Sequence, residues 1–208
     1  MSWYGLFGTF TGVAFLTVVA VPLAALVVVA LAQWRRASGT PRSGAWRTAL
    51  ADVGMVYGTV PWVWMTMMPG SHAGGVLGRV SLVPFRDLVS MGSLGIVGNL
   101  LVLSALGFFA PLRFAPLASW PRVLLFAASC SLLIEVAQFV LLLDRVSSVD
   151  DVLLNTAGAG LAAWLSRPWW LTPGEATVVE ERGTNACPEE PRDEASRRVS
   201  KPPTVAGR

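Results

Sequence analysis

Between Leu6 and Gln33 the sequence carries no charged side chain, and that run constrains the fold more than any other feature. A helix crosses a hydrocarbon core with roughly 20 apolar residues at about 1.5 Å rise each, and buried helices of water-soluble proteins rarely stay uncharged for so long. Pro22 is the main helix breaker inside the run, and a membrane helix tolerates it as a kink. Trp34, Arg35 and Arg36 close the run with an aromatic and basic boundary. A cleaved signal peptide would begin with positive charge and have a shorter apolar core, so the run reads as a retained helix.

Four further stretches repeat the pattern. The second, Trp46 to Met68, carries Asp52 near its start, Pro61 near its end, and Trp62 and Trp64 at the level of an interfacial belt. From Pro69 to Gly92, glycines and prolines break the apolar pieces into lengths too short to cross, which predicts a loop or a segment dipping into the interface. The remaining runs are Ser93 to Leu112, Pro121 to Leu143 and Asp151 to Trp170, and the short turns between them predict antiparallel neighbours. Only 14% of the 208 residues are charged against 53% hydrophobic, as expected of one membrane domain.

The expected fold is therefore all-α, a polytopic integral membrane helix bundle of about five transmembrane helices. Residues 1–79 would supply two N-terminal helices and the start of an outer loop, and residues 80–170 three more helices. Residues 171–208, rich in Glu, Arg, Pro and Thr, would form a disordered cytoplasmic tail. Arg35, Arg36, Arg42 and Arg47 follow the first run, Arg113 and Arg122 follow the third, and Arg167 ends the fifth. The opposite side holds Arg79, Arg86 and Arg145. That excess places the N-terminus outside and the C-terminus in the cytoplasm.

Several function classes lose their footing here. The net charge of +3 does not argue for nucleic acid, because the basic residues flank apolar runs instead of clustering with water-facing readers. No metal or other cofactor is expected, since His72 stands alone in a glycine-rich loop without paired-His spacing. Cys130 lies within the fourth run and Cys187 in the tail, so a disulfide is not expected and Cys130 reads as a packing residue.

The chemistry concentrates in the last two runs. A charge within an apolar span normally faces the protein interior or a water-filled cavity, which singles out Glu135. Gln138 and Ser131 share its helical face. After the turn come Arg145, Asp150 and Asp151, then Asn155 and Gly158, with Asp151, Asn155 and Gly158 one face of the fifth helix. Arg145, Asp150 and Asp151 are expected at one membrane face, with Glu135 about two turns deeper. The structural reading is a polar latch: Arg145 neutralises an aspartate, Asp150 or Asp151 caps the helix, and Gly158 and Gly160 admit close packing. Phe85, Arg86 and Asp87 fit an interfacial anchor with a solvated ion pair beside it.

The ordered set Glu135-x-x-Gln138, Arg145, Asp151, Asn155 and Gly158 resembles the C-terminal pattern of the VanZ-like membrane proteins. Val80 to Phe85 is similar to that family's Asn-Leu-Ile-Pro-Phe element, with Ser81 in place of Asn. Asn99 to Gly107 is similar to its third-span element, with Ala105 where Pro is frequent. The resemblance covers residues 80 to 168. It implies an envelope role connected with reduced susceptibility to teicoplanin-type glycopeptides, an antibiotic-resistance trait, and leaves the chemistry open. Three uses of the cluster follow: binding a membrane lipid or lipid-linked cell-wall precursor, with Arg145 on phosphate or carboxylate; intramembrane catalysis with Glu135 as general acid or base; or a small transporter.

Overall fold

The computed structural model describes residues 7–70, 72–75 and 79–170, all within one compact unit, Met1–Thr172. The expectations for the start of the first run at Leu6, for the tail and for Cys187 lie outside the described residues. The chain forms helices α1 (Phe10–Val19), α2 (Val21–Ala37) and α3 (Arg42–Thr66), strand β1 (Arg79–Ser81), and helices α4 (Arg86–Ser90), α5 (Ser93–Val102), α6 (Ser104–Arg113) and α7 (Trp120–Val140). Strand β2 (Val146–Ser148) and helix α8 (Val149–Ser166) follow, and among the described residues single 3-10 turns lie at Ala115–Leu117 and Arg167–Trp169.

Thr9 caps α1 by accepting from the Gly12 N–H at 3.1 Å. The chain then bends by 45° between α1 and α2, where Pro22 in the first turn of α2 lacks an N–H and crowds the preceding turn. Gly39 turns the chain into α3 at a left-handed φ of 91°. α2 and α3 pack antiparallel through Val28, Ala32 and Ala49. Arg35 pairs with Asp52, which fixes their register, and Tyr57 of α3 donates to the Thr17 carbonyl of α1.

The second half is assembled by small residues. On α3, Gly54 faces Phe109 and Gly58 faces Ala105 of α6, again antiparallel. α8 packs against α5, α6 and α7, around a core of Val102, Leu103, Ala127 and Ala159 against which Cys130 and Ile134 also pack. A side chain on Gly158 would land on the Leu100 backbone carbonyl, and one on Gly107 on that of Ala159. Gly158 thus brings α8 onto α5, the third run, and not onto α7 of the fourth. Gly160 is the glycine that faces α7, at Leu124.

Two differences from the sequence reading concern architecture. The fold is mostly helical and not purely so: β1 and β2 form a parallel two-stranded ladder pairing Arg79 with Val146, Val80 with Ser147 and Ser81 with Ser148. The glycine- and proline-rich loop returns to pair with the turn after α7, which satisfies backbone groups that its short apolar pieces cannot satisfy as a helix. Second, Ser93–Arg113 and Trp120–Val140 are long and apolar enough to cross a membrane, and the bent pair Phe10–Ala37 makes a third candidate. α3 and α8 are less apolar, α3 through Asp52 and its glycines and tryptophans, α8 through Asp150, Asp151 and Asn155.

Candidate functional site

The polar stripe of α7 is buried while its other faces are not. Ser131, Glu135 and Gln138 are at most 6% exposed, whereas Leu133 is 68% exposed. Each buried group meets a partner from another element. Gln138 Nε2 donates to the Thr66 carbonyl at 3.2 Å, closing the stripe against α3. Ser131 Oγ accepts from Asn155 Nδ2 at 2.8 Å. Glu135 Oε2 accepts from the Ser148 N–H at 3.1 Å, and Ser147 Oγ donates to the Glu135 carbonyl at 3.0 Å.

These last contacts correct the expected depth of Glu135. Leu142 and Asp144 take left-handed backbone conformations, φ 51° and 55°, and fold the chain back so that β2 runs down beside α7. The start of α8 therefore reaches the level of Glu135. A sequence reading that lets the fourth run continue to Leu143 leaves no such reversal.

Arg145 completes the group, its Nε donating to the Met68 carbonyl at 3.3 Å. Among the described residues it forms no direct ion pair with an aspartate, contrary to the latch expectation. Asp151 accepts from Asn99 Nδ2 of α5. Together Thr66, Asn99, Glu135, Gln138, Arg145, Asp151 and Asn155, with Ile134 and Val146, line a largely enclosed chamber of about 120 Å³. Asn155 is 2% exposed, and its Oδ1 is buried with no hydrogen-bond partner. An orphaned buried acceptor costs about 1–3 kcal/mol, so the chamber is built with an unfilled valence.

Asp150 belongs elsewhere. Its carboxylate accepts from the N–H groups of Phe85 at 2.6 Å, Asp87 at 2.9 Å and Leu88 at 3.0 Å, capping the short α4. It does not cap α8. That role falls to Ser148, whose Oγ accepts from the Asp150 N–H at 3.2 Å and donates to Asp87 Oδ2 at 2.7 Å. Phe85 is held at φ 64°, a strained conformation for this residue type that the Asp150 contact maintains. The hydroxyls of Ser81 and Ser148 beside Asp87 hold its carboxyl below the ordinary carboxylate range. Arg86 and Asp87 are thus not simply a solvated pair, because Asp87 is tied to the start of α8.

A family model described as VanZ/LLP1 matches residues 55–171, more than half of the chain. The chain belongs to the VanZ/LLP1 family. No curated protein and no solved structure matches it. The VanZ/LLP1 match begins within α3, upstream of the boundary at residue 80 suggested by the resemblance, and takes in every residue lining the chamber. Arg35 and Asp52 lie outside it.

The sequence reading missed Thr66, the Met68 carbonyl and the cap at Ser148, and gave Asn99 no site role. Ser148, two residues before an acidic pair at the start of an apolar run, is an N-cap signature. Asn99 lies in the VanZ-like third-span element. Thr66 and Met68 gave no local signal, since their role is set by where α3 ends. His72 and Asp144 pair at 3.3 Å in the neighbouring loops. Among the described residues, no group of three or more His, Cys, Asp or Glu is placed to hold a metal ion.

Proposed function

We propose that this VanZ/LLP1-family chain is a five-span membrane protein, N-terminus outside, whose chamber holds the polar part of a membrane-resident envelope component. Five spans are supported by alternation. The registers of Arg35 with Asp52, Asp52 with Arg113, and Ser131 with Asn155 run successive rods in opposite directions. α3 and α8, less apolar than the others, are flanked by other helices, α3 by α2 and α6 and α8 by α5, α6 and α7. The arginine asymmetry then assigns the chamber end to the outer face, where cell-wall precursors are exposed to glycopeptides. The observation that carries the binding reading is the orphaned Asn155 Oδ1 in a chamber that also holds Glu135, Asp151 and Arg145.

Orientation is tested by cysteine labelling in intact cells. Ser147 is buried, so the outer probe is Ala73→Cys. It should react while Ser38→Cys is shielded, and the reverse pattern overturns the orientation. Function is tested with Glu135→Gln, Arg145→Ala and Asp151→Asn, measuring teicoplanin susceptibility and membrane abundance together. Normal abundance with altered susceptibility supports a chamber function. Variants as effective as the wild type remove the chamber from it. Two carboxylates lining one enclosed chamber also suit catalysis with Glu135 as general acid or base. That reading requires product formation from a retained lipid, lost in Glu135→Gln alone.

A further inference from the structure

Glu135 lines two cavities. Besides the chamber, it borders a groove of about 220 Å³ whose other walls include Val80, Leu82, Leu132, Val136 and Phe139. Leu132 and Val136 are 57% and 49% exposed, so the groove opens on the apolar outer surface of α7. β2 is the partition: Val146 lines the chamber, while Ser147 and Ser148 line the groove. A polar enclosure and an apolar groove meeting at one carboxylate match an amphiphile, its chain in the groove and its head in the chamber.

The chamber's chemistry narrows the head. Each of its amide groups already commits an N–H within the protein: Gln138 Nε2 to Thr66, Asn99 Nδ2 to Asp151, and Asn155 Nδ2 to Ser131. Beside them stand the orphaned Asn155 Oδ1 and two carboxyl groups against a single guanidinium, so the ionisable groups of the lining are weighted toward carboxyl. A phosphate placed there would face two carboxyl groups and only one guanidinium. A group bearing N–H donors and a positive charge would satisfy the orphan acceptor and offset the excess carboxylate. Resting on the reading of the chamber as a head-group site, we infer that the ligand is a membrane lipid with a primary ammonium head, entering sideways along the α7 groove.

The test uses purified full-length protein and lipids of identical acyl chains with ethanolamine, choline or glycerol heads, scored by the lipid retained in native mass spectrometry. The ethanolamine lipid should be retained over the choline lipid by about tenfold, the value of one charge-assisted hydrogen bond in a buried site. Glu135→Gln and Asp151→Asn should each collapse that ratio at an unchanged thermal midpoint. Val136→Trp, which fills the groove, should lower retention of both lipids without changing the ratio. Preferred retention of the glycerol lipid, lost in Arg145→Ala, overturns the ammonium inference and leaves the head-group reading standing. Free ethanolamine retained as well as its lipid overturns the amphiphile. No head-group preference together with no effect of any chamber variant overturns the inference and the head-group reading alike.

Discussion

The two ends of the helix bundle handle charge in opposite ways. At one end a single carboxylate, Asp52, takes Arg35 of α2 and Arg113 of α6, the latter at 2.7 Å, and so ties three helices. At the other end Glu135 and Asp151 share a chamber with Arg145, whose Nε goes to a backbone carbonyl. The first arrangement pairs its carboxylate directly and locks a helix register. The second keeps its charges apart around a space; each end also holds a buried polar atom without a hydrogen-bond partner, Arg35 Nη1 at the first and Asn155 Oδ1 at the second. Ionisable groups among apolar helices therefore do not identify a functional site by themselves. What separates the two ends is geometry: direct carboxylate–guanidinium pairing at one, and carboxylates and a guanidinium set around a space at the other.

The comparison is broken most severely by removing the packing that shapes the chamber. Gly158→Leu should destabilise by more than about 3 kcal/mol, because the obstruction is the Leu100 backbone and no rotamer avoids it. The thermal midpoint of the purified protein measures this, and an unchanged midpoint would mean that α5 and α8 do not approach here. Next comes the latch: Asp52→Ala leaves two half-buried guanidiniums without their carboxylate and should cost about 1–3 kcal/mol, between the values for buried and exposed pairs. Ser148→Ala should cost about 1 kcal/mol through loss of the α8 cap, read by the same measurement.

The smallest effect is on pH dependence. The Asp87 carboxyl lies below its ordinary range when folded. Its contribution is therefore fully present above the unfolded-state value and lost as pH falls through the depressed one. The acid side of the stability curve should be slightly shallower in Asp87→Asn than in the wild type, and identical acid limbs would show that Ser81 and Ser148 do not favour the ionised form.

Helices apolar enough to cross a membrane, the antiparallel order of the last two helices and the grouping of Glu135, Gln138, Arg145, Asp151 and Asn155 around one chamber were legible because charge among apolar residues is conspicuous. Asp150 was grouped with them because adjacency in sequence is not adjacency of side chains. One step along α8 turns it from the chamber to the N–H groups of Phe85, Asp87 and Leu88. The parallel ladder was illegible, since β1 and β2 are three residues each and lie far apart in the chain. The descent of β2 to Glu135 depends on left-handed Leu142 and Asp144, residue types that do not advertise such conformations. Asp52 was visible within an apolar run, yet its partners come from two other helices and no local spacing names them.

The most direct test is a crossed comparison of Asp52→Asn with the double variant Glu135→Gln, Asp151→Asn, measuring thermal midpoint and head-group-selective lipid retention on the same preparations. The account predicts that Asp52→Asn lowers the midpoint and keeps the selectivity, while the double variant keeps the midpoint and loses the selectivity. The opposite assignment, or a double variant that loses stability while retaining full selectivity, would contradict it.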